Sequence, residues 1–120
     1  MATVLIADDT ELMRDMLCAC VKQLGYENVV VAEDGEQALK SYQEKEIDII
    51  LLDINMPKIN GIEVLEKIKT QNKDTFIVMI TGESTRENVK RSLELGCDGF
   101  IAKPYDPQKV ADALSGYKEQ

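Results

Sequence analysis

The chain has 120 residues, 44% hydrophobic and 30% charged, which suits one soluble domain spanning residues 1–120 with a single real core. A net charge of −8 with scattered lysines and arginines gives no basic patch for nucleic acid, and no apolar run is long enough to span a bilayer. Histidine is absent, which removes the commonest general base and metal ligand and leaves carboxylates, hydroxyls and lysine for any chemistry.

Along the chain, two periodicities alternate. Val4-Leu5-Ile6-Ala7 is a short apolar run closed by Asp8 and Asp9. Leu12, Met13, Met16, Leu17, Cys20, Val21 and Leu24 then form a stripe of helical period ended by Gly25. Val29 to Ala32 is a second strand, and a helix follows from Glu36 to Glu44 with Ala38, Leu39 and Tyr42 facing inward. Ile47 to Asp53 contains the third strand, almost wholly apolar until it ends on a carboxylate. Ile62, Leu65 and Ile68 mark a third helix, and Phe76 to Ile80 a fourth strand ending on Thr81. A fourth helix, Thr85 to Leu95, has a thin apolar stripe of Val89, Leu93 and Ser92. Gly99 to Ala102 is the fifth strand, ending on Lys103, and Val110, Ala113, Leu114 and Tyr117 give the last helix its inner face.

The helix starts corroborate these boundaries. Asp34-Gly35-Glu36-Gln37, Asn60-Gly61-Ile62-Glu63 and Ser84-Thr85-Arg86-Glu87 each place a capping residue three before a Glu or Gln. Asp106-Pro107 puts a cap before a proline at the first helical position. Five strand–helix units of this length argue for an α/β fold with a parallel sheet, because parallel strands need crossover connections. Three cysteines is an odd number, and Cys18 and Cys20, two apart on one helix, face different directions. The expectation is a reducing cytoplasm with thiols acting as small core residues, and Met13, Met16 and Met79 as core filler. The first strand follows Met1-Ala2-Thr3 almost at once, so no signal peptide is expected.

A carboxylate at the end of a buried strand is costly, and here the strand ends carry a set of chemically apt groups. They are Asp8 and Asp9 after strand 1, Asp53 after strand 3, Thr81 after strand 4 and Lys103 after strand 5. In open α/β sheets ligands bind beyond the carboxyl ends of the strands, where strand order reverses. With the flavodoxin-like order 2-1-3-4-5, three carboxylates crowd one crevice and repel. A hard divalent cation such as Mg²⁺ offsets that repulsion. Beside it, Asp53 becomes a nucleophile toward phosphorus, with the Thr81 hydroxyl and the Lys103 ammonium left to receive the phosphoryl oxygens.

The motifs "VLIADD", "LLDINMPKING", "VMITGE" and "FIAKPY", one on each of four strand ends, resemble those of response-regulator receiver domains of two-component signalling. The resemblance is to the stand-alone, CheY-like type and covers essentially the whole chain. It implies the flavodoxin-like (βα)5 doubly wound sandwich, with phosphorylation of Asp53 by a sensor histidine kinase or phosphotransfer protein. It further implies Mg²⁺ held by Asp9 directly, by Asp8 through water, by Asp53 and by the backbone carbonyl of Asn55. Thr81 would be the switch hydroxyl, Lys103 its phosphoryl-pairing partner and Phe100 the switch aromatic. Asn55 and Glu83 would tune hydrolysis of the acyl phosphate, and the Lys103-Pro104 peptide would be cis. Output would pass to an effector protein, the flagellar switch among the candidates, through the fourth helix, fifth strand and fifth helix. Gly82, Phe100 and Tyr105 depart mildly from the common pattern, where Ala or Ser, Tyr, and Phe are frequent.

Two other classes fit less well. A Mg²⁺-dependent phosphohydrolase with Asp53 as nucleophile would want a second carboxylate at Asn55 and a cap domain. An FMN-binding module would want a Ser/Thr/Gly-rich first loop, whereas Asp8-Asp9-Thr10-Glu11 repels a phosphate.

Overall fold

In a computed structural model, residues 2–82 and 86–117 are described. Five strands alternate with five helices: β1 (Thr3–Ala7), α1 (Glu11–Gln23), β2 (Asn28–Ala32), α2 (Gly35–Glu44), β3 (Ile49–Asp53), α3 (Gly61–Gln71), β4 (Phe76–Thr81), α4 (Arg86–Glu94), β5 (Gly99–Ala102) and α5 (Pro107–Leu114). All strand pairs are parallel, in the expected order β2-β1-β3-β4-β5. None of the described helices is long and apolar enough to cross a membrane.

The strand period of two sorts the core into two layers. Leu5, Ile50, Leu52, Ile77 and Met79 pack with Ala38 of α2 and with Val64, Leu65 and Ile68 of α3. Val4, Ile6, Ile49, Leu51, Val78 and Ile80 pack on the other face with Leu17 and Val21 of α1 and with Val110 and Leu114 of α5. β3 lies mid-sheet, with every residue from Ile49 to Asp53 buried. Burial on both faces is why its sequence reads as a continuous apolar run.

Local chemistry starts the helices where expected. Asp34 accepts from the Gln37 N–H at 2.8 Å, Asn60 from the Glu63 N–H at 3.0 Å, and Asp106 from the Lys109 N–H at 3.1 Å with Pro107 opening α5. The Ser84-Thr85 cap lies outside the described residues. Gly25, at φ +100°, ends α1 in the left-handed region that favours glycine. The three thiols are free, and the Lys103-Pro104 peptide is cis.

Four described residues of the expected helical stripes do not face inward. Leu12 is 67% exposed, and Met16 and Leu24 also lie largely in solvent, so Met16 is not core filler. α1 seats fully only Leu17 and Val21, and Leu12 stands about 140° around the helix from Leu17. On α4 the expected inner residue Leu93 points outward, 61% exposed, whereas Ser92 of the same expected stripe is fully buried. The helix is turned so that the serine side, about 100° from Leu93, meets the sheet.

At the amino ends of β4 and β5 a polar clasp fixes the base of the sheet. Lys69 Nζ, on a largely buried side chain, donates to the Thr75 carbonyl at 2.7 Å and to Asp98 Oδ2 at 2.9 Å. Asp98 Oδ2 also accepts from the Ile77 N–H at 2.9 Å, and Tyr42 shares a 2.6 Å hydrogen bond with Thr75.

Candidate functional site

At the opposite, carboxyl ends of the strands, sheet register brings the expected groups together. Ala7 of β1 stands against Leu52 of β3, so the next residues on each, Asp8 and Asp53, meet beyond the last paired rung. Carboxylate oxygens of Asp8, Asp9 and Asp53 lie within 4.8 Å of one another. Asp8 and Asp53 are buried, and Asp9 is exposed at the rim. Thr81 ends β4 opposite Ala102 of β5, and Lys103 follows directly. The Lys103 N–H donates to the Thr81 carbonyl at 2.8 Å, so the two strand ends are joined through their backbones.

Lys103 Nζ sits 3.4 Å from Asp8 Oδ2 and 3.4 Å from Asp53 Oδ2, a single cation straddling two buried anions. The remaining acceptors are held by backbone: the Thr10 N–H donates to Asp8 Oδ1 at 2.9 Å and the Asn55 N–H to Asp53 Oδ1 at 3.2 Å. This partial compensation does not cancel the cost of burial. Burial first, and the Asp8 charge second, push the Asp53 carboxyl up to about 6, against the lowering influence of Lys103.

The donor set is hard oxygen throughout. Three carboxylates against one ammonium leave the pocket two charges negative once all ionise. That is the charge and chemistry a small divalent cation such as Mg²⁺ satisfies, so the residues present fit the ion.

Backbone shape completes the site. A Cβ at Gly61 would overlap the Asp53 carbonyl, so only glycine lets the start of α3 close on the end of β3, where the Gly61 N–H donates to Ile54 O at 2.8 Å. Likewise a Cβ at Gly35 would overlap the Ile59 carbonyl, which shows how tightly the β2–α2 and β3–α3 loops abut. Arg14, not singled out from the sequence, donates through Nη1 to the Asp8 carbonyl at 2.8 Å. Its position one turn into α1 from the acidic pair was the available signal.

Other expected residues lie further out. Asn55 is exposed and adjoins Asp53 through its N–H. Phe100 is half-buried against the α2–α3 side of the core, away from the carboxylates. Glu83 lies outside the described residues. Tyr105 packs on the α1–α5 side with its hydroxyl buried and without a hydrogen-bond partner among the described residues; burial, then the charge of Asp8, raises its pKa.

Residues 4–115 match the family described as "Response regulator receiver domain". The chain is 36% identical over 112 residues to a chemotaxis protein CheY of Halobacterium salinarum, covering 93% of this chain and 92% of that one. It is 35% identical to a chemotaxis protein CheY of Listeria monocytogenes, covering 95% and 96%. Among solved structures, chemotaxis protein CheY4 of Vibrio cholerae superposes with a TM-score of 0.87 at 33% identity, covering 96% and 97%. A CheX-CheY-BeF3-Mg complex from Borrelia burgdorferi gives 0.92 at 34% identity, covering 98% and 90%.

Proposed function

This chain belongs to the response regulator receiver family, phosphorylation-activated switches of two-component signalling with chemotaxis-type relatives, and on that premise we propose that Asp53 is its phosphoryl acceptor. The observation that carries the reading is Lys103 straddling Asp8 and Asp53 at the mouth of the three-carboxylate cluster. Asp8, Asp9 and Asp53, with the Asn55 carbonyl, would hold Mg²⁺, and the Mg²⁺ in the Borrelia relative's complex supports the same ion here. When bound, the ion supplies positive charge to the phosphoryl oxygens as transfer proceeds.

An oxygen of Asp53 attacks the phosphorus of a phosphohistidine on a sensor kinase or phosphotransfer protein. The new O–P bond forms as the N–P bond breaks, and the electron pair leaves with the imidazole nitrogen. Burial keeps competing water away from Asp53 and makes its anion a better nucleophile than a solvated carboxylate. Lys103 then exchanges one carboxylate partner for a phosphoryl oxygen, and Thr81 supplies a hydroxyl to another. Hydrolysis reverses the modification at the same site, so the chain catalyses its own phosphorylation cycle and no turnover on other substrates. The added charge biases the β4–α4 connection, Phe100 and the α4–β5–α5 face, where an effector protein reads the state in the cytoplasm. Asn55 and Glu83 set the lifetime.

Intact mass after incubation with Mg²⁺ and a small acyl-phosphate donor tests the assignment. Wild type should gain one phosphoryl group, EDTA should prevent it, and Asp53→Asn should gain none. A variant that is phosphorylated as readily as wild type would remove Asp53 from the role.

A further inference from the structure

The loops that carry the proposed metal ligands are tied from outside by a second set of charges. On the β1–α1 side, Arg14 is only 12% exposed along its side chain; Nη1 donates to the Asp8 carbonyl and Nη2 lies 3.9 Å from Glu33. On the β3–α3 side, Lys58 takes the left-handed conformation at φ 70°, rare for a residue with a side chain, and its ammonium lies 3.7 Å from Asp34 Oδ2. Asp34 is itself 6% exposed and caps α2 with its other oxygen. Glu33 and Asp34 are consecutive in the β2–α2 corner, which abuts the β3–α3 loop at Gly35 and Ile59.

We propose that Glu33-Asp34 is a clasp that draws the two ligand loops together through Arg14 and Lys58, making these two cations positioning residues for Mg²⁺. The inference rests on the reading of Asp8, Asp9, Asp53 and the Asn55 carbonyl as the ion's ligands. Arg14 holds the backbone from which Asp8 and Asp9 project, and Lys58 holds the loop that presents Asn55. Neither cation touches the ion's ligand oxygens in the side chains, so their influence is on where the ligands stand. Partners bonded directly to a ligating side chain commonly change metal affinity by about tenfold or more when removed. Arg14 and Lys58 act one step further out, through pairs whose Glu33 and Lys58 ends are exposed, so their effect is smaller, about twofold to fivefold.

The sign of the effect separates positioning from charge. Deleting a cation near an acidic site would, by electrostatics alone, tighten a divalent ion. Losing the clasp loosens it. Titration calorimetry with Mg²⁺ alone is therefore run on wild type, Arg14→Ala, Arg14→Lys, Lys58→Met and the double variant Arg14→Ala/Lys58→Met. Thermal unfolding in EDTA runs alongside, so that every affinity is measured well below the variant's own transition.

The expected result is Kd raised about twofold to fivefold in Arg14→Ala, less in Lys58→Met, and partly restored in Arg14→Lys, which keeps a donor but not the planar fork. Unchanged or tighter Mg²⁺ binding in Arg14→Ala and Lys58→Met overturns the clasp and leaves the proposed site intact. Wild type that takes up no Mg²⁺ overturns both. A variant with a lowered melting temperature and wild-type Kd reveals a structural role only, and also overturns the clasp.

Discussion

Asp53 carries the sharpest consequence at the scale of one residue. Its carboxyl is raised from the ordinary 3.8 to about 6 because it is buried beside Asp8. A carboxylate raised on folding works against stability when ionised. Between about pH 4 and 6 the folded chain binds the proton more tightly than the unfolded one, so stability is lost as pH rises through 6. Replacing Asp53 with Asn removes that charge. In EDTA, Asp53→Asn should be more stable than wild type by about 1–3 kcal/mol at pH 8, with the gain shrinking below pH 6 and gone by about pH 4. Urea unfolding at three pH values checks it, and equal stability at pH 8 would mean that the buried carboxylate is better compensated than its surroundings indicate. Asp53, Thr81 and Lys103 were legible in the sequence because each ends an apolar strand. Lys58 was not, and Arg14 only faintly, by its place one turn from the acidic pair, since a charged residue in a first turn or a loop reads as ordinary solvated surface until its partners are placed.

Elements tell a similar story, and α4 is where it breaks. The strands and helices, their caps and both core layers follow from periodicity and turn chemistry, which agree with one another along most of the chain, while the strand order was legible only through the resemblance. α4 offers the sheet two adjacent faces of nearly equal merit; the expected stripe of Val89, Leu93 and Ser92 spans both, and its period alone does not say that Ser92 is seated and Leu93 left out. The price is a buried Ser92 hydroxyl with no hydrogen-bond partner among the described residues. Outside, Arg91 reaches Glu66 of α3 at 3.0 Å, but both side chains are half exposed and such a pair adds little. Ser92→Ala should therefore stabilise the fold by about 1–2 kcal/mol, by removing an orphan donor and improving helix propensity. Leu93→Gln should change it by less than about 0.5 kcal/mol. Denaturant midpoints measure both, and the opposite ranking would show that Leu93, not Ser92, faces the sheet. A weakly seated helix beside the end of β4 also suits the element expected to answer phosphorylation.

Across the whole molecule the two ends of the sheet are built from opposite materials. The base is cross-tied by Lys69, Asp98, Thr75 and Tyr42, with the Lys69 ammonium paired to Asp98 and the Ile77 N–H and Thr75 carbonyl bonded to that pair. The rim gathers uncompensated negative charge on loops that meet edge to edge. Hydrogen exchange in EDTA should find the Ile77 amide, bonded to Asp98, among the slow protons and Gly82 among the fast. Slow exchange at both ends would argue that the sheet responds as one block. The Lys69 clasp then acquires a meaning beyond stability: it makes the domain a lever with an anchored foot, so that displacement begun at the rim travels sideways toward a neighbour's surface instead of dissipating downward through the sheet.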